Sequence, residues 1–239
     1  MSEAALARLA AHFDAAAARG TTCAVWWRDD DATRPGPKLD SLIALAAAHA
    51  APVALAVIPA FAAPELLSLC EDAGIAVLQH GAAHRNHQSA GKSAELGDAR
   101  PVDTILAELT ELRARLACAT FLPVMVPPWN RMRGDLEEPL AAAGYRGLSA
   151  FGKPVRAGAL NRVDTHIDPI AWRTTRSLAD EASLLAMAET AAAAGSPIGL
   201  LTHHIDHDAA IGDFVATFAA LVTAHPGARW VHAEEIFGP

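Results

Sequence analysis

The 239-residue chain is poor in the features that mark secreted, membrane-bound or nucleic-acid-binding proteins. It has three cysteines, Cys23, Cys70 and Cys118, odd in number, far apart and set in apolar segments. That argues against a disulfide framework or a CxxC metal site and suits buried, reduced, structural thiols. No run of about 18 apolar residues is free of charge, so no membrane span is expected. Glu3, Arg8, His12 and Asp14 interrupt the N-terminal stretch where a signal peptide needs an apolar core, and the expectation is a cytoplasmic protein with no membrane partner. Basic charge is scarce: 19 Lys and Arg against 27 Asp and Glu leave a net −8, a poor match to a phosphate backbone, so nucleic acid is not an expected partner. No GxGxxG or GxxxxGK fingerprint follows the early strands. Repeats, low-complexity linkers and composition breaks are also missing. With 52% apolar residues there is material for one sizeable core, and a single domain over 1–239 is expected.

What is present is a regular alternation of helix and strand signals. Ser2 to Arg19 carries Leu6, Leu9, Phe13 and Ala17 at helical spacing and stops at Gly20. Thr21 to Arg28 reads as a strand ending in an acidic cluster. Helices are expected at 38–49, 64–73, 101–117, 135–143, 178–194 and 213–224, and strands at 53–58, 75–78, 121–126, 145–151, 162–167, 198–202 and 230–232. Seven or eight such units predict a parallel α/β sheet closed into a barrel, with an open doubly wound sheet as the other arrangement.

Barrel enzymes carry their reacting groups at the carboxyl ends of strands, and the polar residues here collect there. Asp29, Asp30 and Asp31 follow the first strand; His80, His84 and His87 the third; Pro127, Pro128, Trp129, Asn130 and Arg131 the fourth. His166 and Asp168 lie near the sixth, and His203, His204, Asp206, His207 and Asp208 follow the seventh. Three adjacent carboxylates repel one another by roughly 1 kcal/mol per pair at about 4 Å even in water, which a bound cation would relieve. His80 and His84, four residues apart, share one face of a helical turn and reach a single ion. Two imidazoles and one carboxylate suit zinc or a neighbouring divalent metal, with a position left for water. His203 and His204 read either as buried structural histidines or as the proton carrier of a metal hydrolase. Pro127-Pro128-Trp129 is a rigid amphipathic ledge that suits a sugar cleft, or plain packing.

In order and spacing these segments resemble the polysaccharide deacetylase family, the NodB-homology domains of carbohydrate esterase family 4, over residues 22–204. Its Thr-Phe-Asp-Asp-Gly stretch is similar to Arg28-Asp29-Asp30-Asp31-Ala32, and its His-x-x-x-His type of motif to His80–His84. Its Arg-Pro-Pro-Tyr/Trp segment resembles Val126-Pro127-Pro128-Trp129, its Asp-x-x-Asp-Trp segment Asp168-Pro169-Ile170-Ala171-Trp172, and its Leu-x-His segment Leu201-Thr202-His203. The resemblance implies a single-domain, distorted (β/α) barrel of about seven strands. It also implies Asp30 as catalytic base, Asp31, His80 and His84 as ligands of a divalent metal with zinc as the first choice, and His203 as general acid. Pro128, Trp129, Asn130 and Asp168 would line the substrate site.

Three departures accompany it. Val126 stands where the family has arginine, Ala171 replaces the second acidic residue of the fourth motif, and a third Asp leaves a second register compatible, with Asp29 as base and Asp30 as ligand. Strand alternation places Arg28 on the same side as Asp30, where its guanidinium can take the place of the missing arginine, which favours the later register and adds Arg28 to the catalytic set. The likeness is therefore to a divergent intracellular branch.

The function expected is a metal-dependent hydrolase that removes an acetyl group from an N-acetylated sugar or related small amide. Metal-bound water would lose its proton to the Asp base, and the His acid would protonate the departing amine. Two other readings stay open: an amidase or esterase acting on a non-sugar substrate, and a degenerate barrel that binds metal and carbohydrate without turnover, in keeping with Val126 and Ala171. A small-molecule or carbohydrate partner is expected, and homo-oligomerisation is left open.

Overall fold

A computed structural model describes residues 3–152, 158–195 and 197–238. The first helix, α1 (Glu3–Ala18), ends close to the Gly20 stop read from the sequence; Ser2, where the expected helix began, lies outside the described residues. It is followed by β1 (Cys23–Ala32), α2 (Pro37–Ala48), β2 (Val53–Val57), α3 (Pro64–Ala73), β3 (Ala76–His80), α4 (Val102–Arg113), β4 (Phe121–Val126) and α5 (Glu137–Ala142). After these come β5 (Gly147–Leu148), β6 (Asn161–Arg162), α6 (Glu181–Ala194), β7 (Ile198–Thr202), α7 (Ala209–Ala224), β8 (Ala228–Trp230) and α8 (Ala233–Phe237).

Proline and glycine punctuate the chain as their chemistry requires. Pro37 and Pro64 open α2 and α3, where a missing N–H costs nothing, and Gly74 closes α3 in the left-handed conformation at φ 64°. The last two long helices start elsewhere than periodicity alone suggests, because aspartates cap them. Asp180 accepts the Ser183 N–H at 2.8 Å, so α6 begins at Glu181 rather than Leu178; Asp208 accepts the Ile211 N–H at 2.9 Å, so α7 begins at Ala209 rather than Asp213. The 101–117 helix gives way to a 3-10 turn over Ala114–Leu116, and the helix expected from Asp135 is a 3-10 turn over Gly134–Leu136 leading into α5.

The strands run parallel in the order β6-β5-β4-β3-β2-β1-β7, with β8 beside the first residues of β1. For the stretches read as strands at 145–151 and 162–167, ladder pairing covers only Gly147–Leu148 and Asn161–Arg162, with single bridges beyond them, Phe151 to Thr165 and Ile167 to Leu200. The second bridge, backed by Leu201 N–H to the Ile167 carbonyl at 2.8 Å, joins that irregular edge to β7. Seven parallel strands thus curl into a distorted α/β barrel, and the doubly wound alternative falls away.

Alternation along β1 sorts its side chains between two cores. Val25 and Trp27 pack outward with Leu55, Val57 and Val77 against α1, α2, α3, α6 and α7. Trp26 points inward among Ala54, Ala56, Ala76, Leu78, Val124 and Val126, and α8 closes that end with Phe237, whose ring meets Trp26 edge-on at 5.6 Å. Three alanines leave the volume that one indole and one phenyl ring fill. The same parity puts Arg28 and Asp30 on the inner face and Asp29 on the outer. Cys23 and Cys70 are buried and Cys118 partly so. No described helix is long and apolar enough to cross a membrane.

Candidate metal centre and catalytic cleft

The acidic run expected after the first strand lies within it. β1 continues through all three aspartates because each carboxylate has a different neighbour that makes its burial tolerable. Asp29 faces outward and is fully buried; its Oδ2 accepts the Thr202 hydroxyl at 2.6 Å and the His204 N–H at 2.9 Å, and its Oδ1 meets the His204 ring at Nδ1. Asp30 faces inward and is clasped by Arg28, Nε to Oδ1 at 2.8 Å and Nη2 to Oδ2 at 3.1 Å. Between Asp29 and Ala32 the pairing register to β2 slips and Asp31 adopts φ 70°, a bulge that breaks the alternation. Asp31 is thereby re-aimed, and it shares the cleft with Asp30 instead of pointing to the opposite face.

His80 closes β3, and its Nδ1 lies 3.0 Å from the Val126 carbonyl. A carbonyl only accepts, so Nδ1 carries the proton and Nε2 is the free end. His80 and His84 do not share a helical turn as the spacing suggested. The chain leaves the strand through Gly81 at φ 57° and reaches His84 at φ 52°, a non-helical loop. A Cβ on Gly81 would sit 2.0 Å from Glu95 Oε2 and 2.5 Å from Pro128 Cγ, so only glycine fits. Glu95 holds that loop: its buried carboxylate accepts the N–H groups of Ala82 and Ala83 at 2.9 Å and of Arg85 at 3.1 Å. No local sequence signal marks Glu95, which sits in a stretch without helical or strand periodicity.

His80 Nε2 and His84 Nε2 stand 3.2 and 3.4 Å from Asp31 Oδ1. Two ligands at about 2.0 Å from a tetrahedral ion are about 3.3 Å apart, so these spacings match a shared coordination sphere. Asp31 Oδ1 is buried and accepts no hydrogen bond among the described residues, although its neighbours are imidazoles. An acceptor without a donor, facing two imidazole nitrogens, fits a divalent cation. Burial pushes the Asp31 carboxyl up, but the His80 contact and the charges of His80, His203 and His84 outweigh it and hold it below the usual carboxylate range. For His84, burial and the neighbouring His80 charge lower the pKa, which favours the neutral, ligating form.

These groups open on a cleft of about 800 Å³. Of the residues singled out from the sequence, Asp30, Asp31, His80, His84, Trp129, Asn130, Asp168 and His203 all line it. Arg28 and Pro128 lie beneath its surface. Arg28, wholly buried, donates to Asp30, to Ser149 Oγ at 2.6 Å and to Asn130 Oδ1 at 2.9 Å; Pro128 backs the Gly81 turn. Trp129 stacks obliquely on His84 with centroids 4.3 Å apart. On the other wall Asp168 accepts Trp172 Nε1–H at 2.7 Å, and the Trp172 ring meets His203 edge-on at 4.6 Å. Burial pushes the Asp168 carboxyl up, against the opposing pull of His203 and the Trp172 bond. His203 Nδ1 has no hydrogen-bond partner among the described residues. Four other histidines read from the sequence do other work or stay outside: His204 binds Asp29, His166 Nδ1 accepts the Gly199 N–H at 3.1 Å, and His87 and His207 lie off the cleft.

No protein-family model matches this sequence, and no curated protein matches it at a significant level. Solved structures do. A protein from Mycobacterium smegmatis assigned as a polysaccharide deacetylase superposes with a TM-score of 0.65 at 18% identity, over 90% of this chain and 88% of that one. A peptidoglycan N-acetylglucosamine deacetylase bound to an N-hydroxybenzamide gives 0.60 at 14% identity, over 90% and 88%. A mutant of a carbohydrate esterase family 4 pseudoenzyme gives 0.59 at 14% identity, over 90% and 67%. At such identities the likeness is one of architecture, and the architecture is the NodB-like barrel that polysaccharide deacetylases and family 4 carbohydrate esterases share.

Proposed function

We propose that the protein is a metal-dependent deacetylase that hydrolyses the acetamide of an N-acetylated sugar or related small amide. One observation carries this reading: Asp31, His80 and His84 converge within 4.8 Å of one another on a cleft that also holds an arginine-clasped carboxylate and His203. Asp31, His80 and His84 would hold the ion, zinc being the first choice for one carboxylate and two imidazoles. A divalent ion bound there supplies Lewis acidity, lowering the pKa of water towards about 7 and polarising an acyl oxygen.

This chain's own residues divide the rest of the work. Arg28 orients Asp30, while each carboxylate oxygen retains a lone pair to accept a proton. Arg28 reaches this carboxylate from two residues earlier on the same strand. His203, with a ring nitrogen that has no hydrogen-bond partner among the described residues, delivers a proton to the departing amine. Trp129 and Trp172 offer flat apolar faces to a sugar ring. The cytoplasm is the proposed compartment.

The test is acetate release from N-acetylated amino sugars and simple acyl amides, alongside metal content. His203→Ala should lower the rate by about 10²- to 10⁴-fold with metal content intact. Full activity in that variant, or loss of its metal, sinks the assignment. A second reading, binding without turnover, draws on the engagement of both Asp30 oxygens by Arg28. It requires metal and sugar binding with no acetate from any amide.

A further inference from the structure

The cleft carries a charge pattern that the acidic chain as a whole does not. Each acid lining it has a partner or a role: Asp30 is held by Arg28, Asp31 faces the imidazoles, Asp168 is bonded by Trp172, and Asp206 pairs with Arg176 at 2.7 Å. Cations line it as well. Arg131 is anchored through Nη1 to the Ser93 carbonyl at 2.7 Å, and Arg176 lies over the Trp172 ring, 5.1 Å from its centroid. Lys92 and Arg173 also line the cleft, are exposed, and make no ion pair or side-chain hydrogen bond with any described residue. They come from separate segments, 86–100 and 169–178, so no single basic run accounts for them.

Screening limits the reach of the chain's −8 net charge to about 8 Å at physiological salt, so a group at the cleft mouth responds chiefly to these local cations. A neutral sugar gains little from two unpaired cations. A phosphate or carboxylate gains charge-assisted hydrogen bonds, for which guanidinium geometry is well matched. We propose that the substrate is an acylated amine that also bears an anionic group, a phosphate or a carboxylate, held by Lys92 and Arg173 while the amide lies against Asp31 and Asp30. This deepens the deacetylase reading and rests on it for the position of the amide.

The test measures binding by calorimetry, and acetate release separately, on the zinc-loaded protein with N-acetylglucosamine, its 6-phosphate and N-acetylmuramic acid. At least one anionic compound should bind about tenfold or more tightly than the neutral sugar, and the preference should shrink as salt rises from about 50 to about 500 mM. Whichever anion shows the larger preference identifies the group. Lys92→Gln combined with Arg173→Gln should bring the dissociation constants to within about threefold of one another. The proposal is overturned if the neutral sugar binds as tightly as both anions, or if the double variant keeps the preference. Equal acetate release from all three, without preferential binding, would leave the deacetylase reading standing and remove this one. Arg173-dependent binding of an anionic sugar with no acetate released would do the reverse.

Discussion

Two pairings of aspartate with histidine lie side by side at the end of β1, and they differ in whether each acceptor has a donor. At the outer one, Asp29 receives the Thr202 hydroxyl, the His204 N–H and the His204 ring, and Trp27 Nε1–H backs Thr202 at 2.8 Å. At the inner one, Asp31 Oδ1 faces two Nε2 atoms and receives no hydrogen bond from any described residue. The outer pair is complete as it stands and latches β1 to β7. The inner group is complete only when a proton or a cation sits among its acceptors. Residue type is the same in both, so hydrogen-bond satisfaction, not composition, separates a structural latch from an ion seat.

The most severe way to break this contrast is Asp31→Ala. Metal content should fall from one ion per chain to none and acetate release to background, with the circular dichroism spectrum retained. A variant that kept stoichiometric metal would show that the inner group is no seat. Asp29→Ala should act on folding instead. It strands a buried imidazole and a buried hydroxyl, and urea unfolding should report a loss of about 3–5 kcal/mol, while the folded fraction still takes up metal. Loss of metal at unchanged stability would merge the two regions into one.

Glu95 sharpens the comparison because it supports the inner site through backbone alone. Glu95→Ala leaves the N–H groups of Ala82, Ala83 and Arg85 without their acceptor, and metal affinity in a chelator titration should weaken by about 10- to 100-fold. Unchanged affinity would mean that the Gly81 turn holds itself. The smallest effect is a pH dependence at the latch. Burial lowers the His204 pKa, but the Asp29 bond and charge outweigh it and raise the folded value above the unfolded value of about 6.5. A raised folded value means that the stabilisation is present in full below about pH 6.5 and is lost as pH rises through the folded pKa. The stability difference between the native chain and Asp29→Asn should therefore narrow from acid to alkaline pH. A gap that widens contradicts an ionised pair.

Much of the barrel was legible because strong signals coincided. Phe121–Val126 and Ile198–Thr202 are apolar runs between breakers, and they are strands with those bounds. Pro64 and Gly74 bracket a helix with the bounds read from them. The end of β1 was not legible, because three carboxylates look like a strand terminus until Arg28, Thr202 and His204 are known to meet them. Arg28 sharing a side with Asp30 did follow from alternation, whereas the bulge that turns Asp31 into the same cleft did not. The loop from His80 to His84 looked helical by spacing alone, and its left-handed residues depend on Glu95 and Pro128, which no local pattern connects to Gly81.

Local order alone determined the alternation of helices and strands, the candidate cluster of Asp, His and Trp segments, and the absence of membrane or nucleic-acid signatures, since periodicity, breakers and charge act between near neighbours. Only the closed sheet decided which aspartate latches and which faces the imidazoles. Those roles depend on partners 49 to 175 residues away in sequence, and chain proximity carries no information about a partner that arrives by folding.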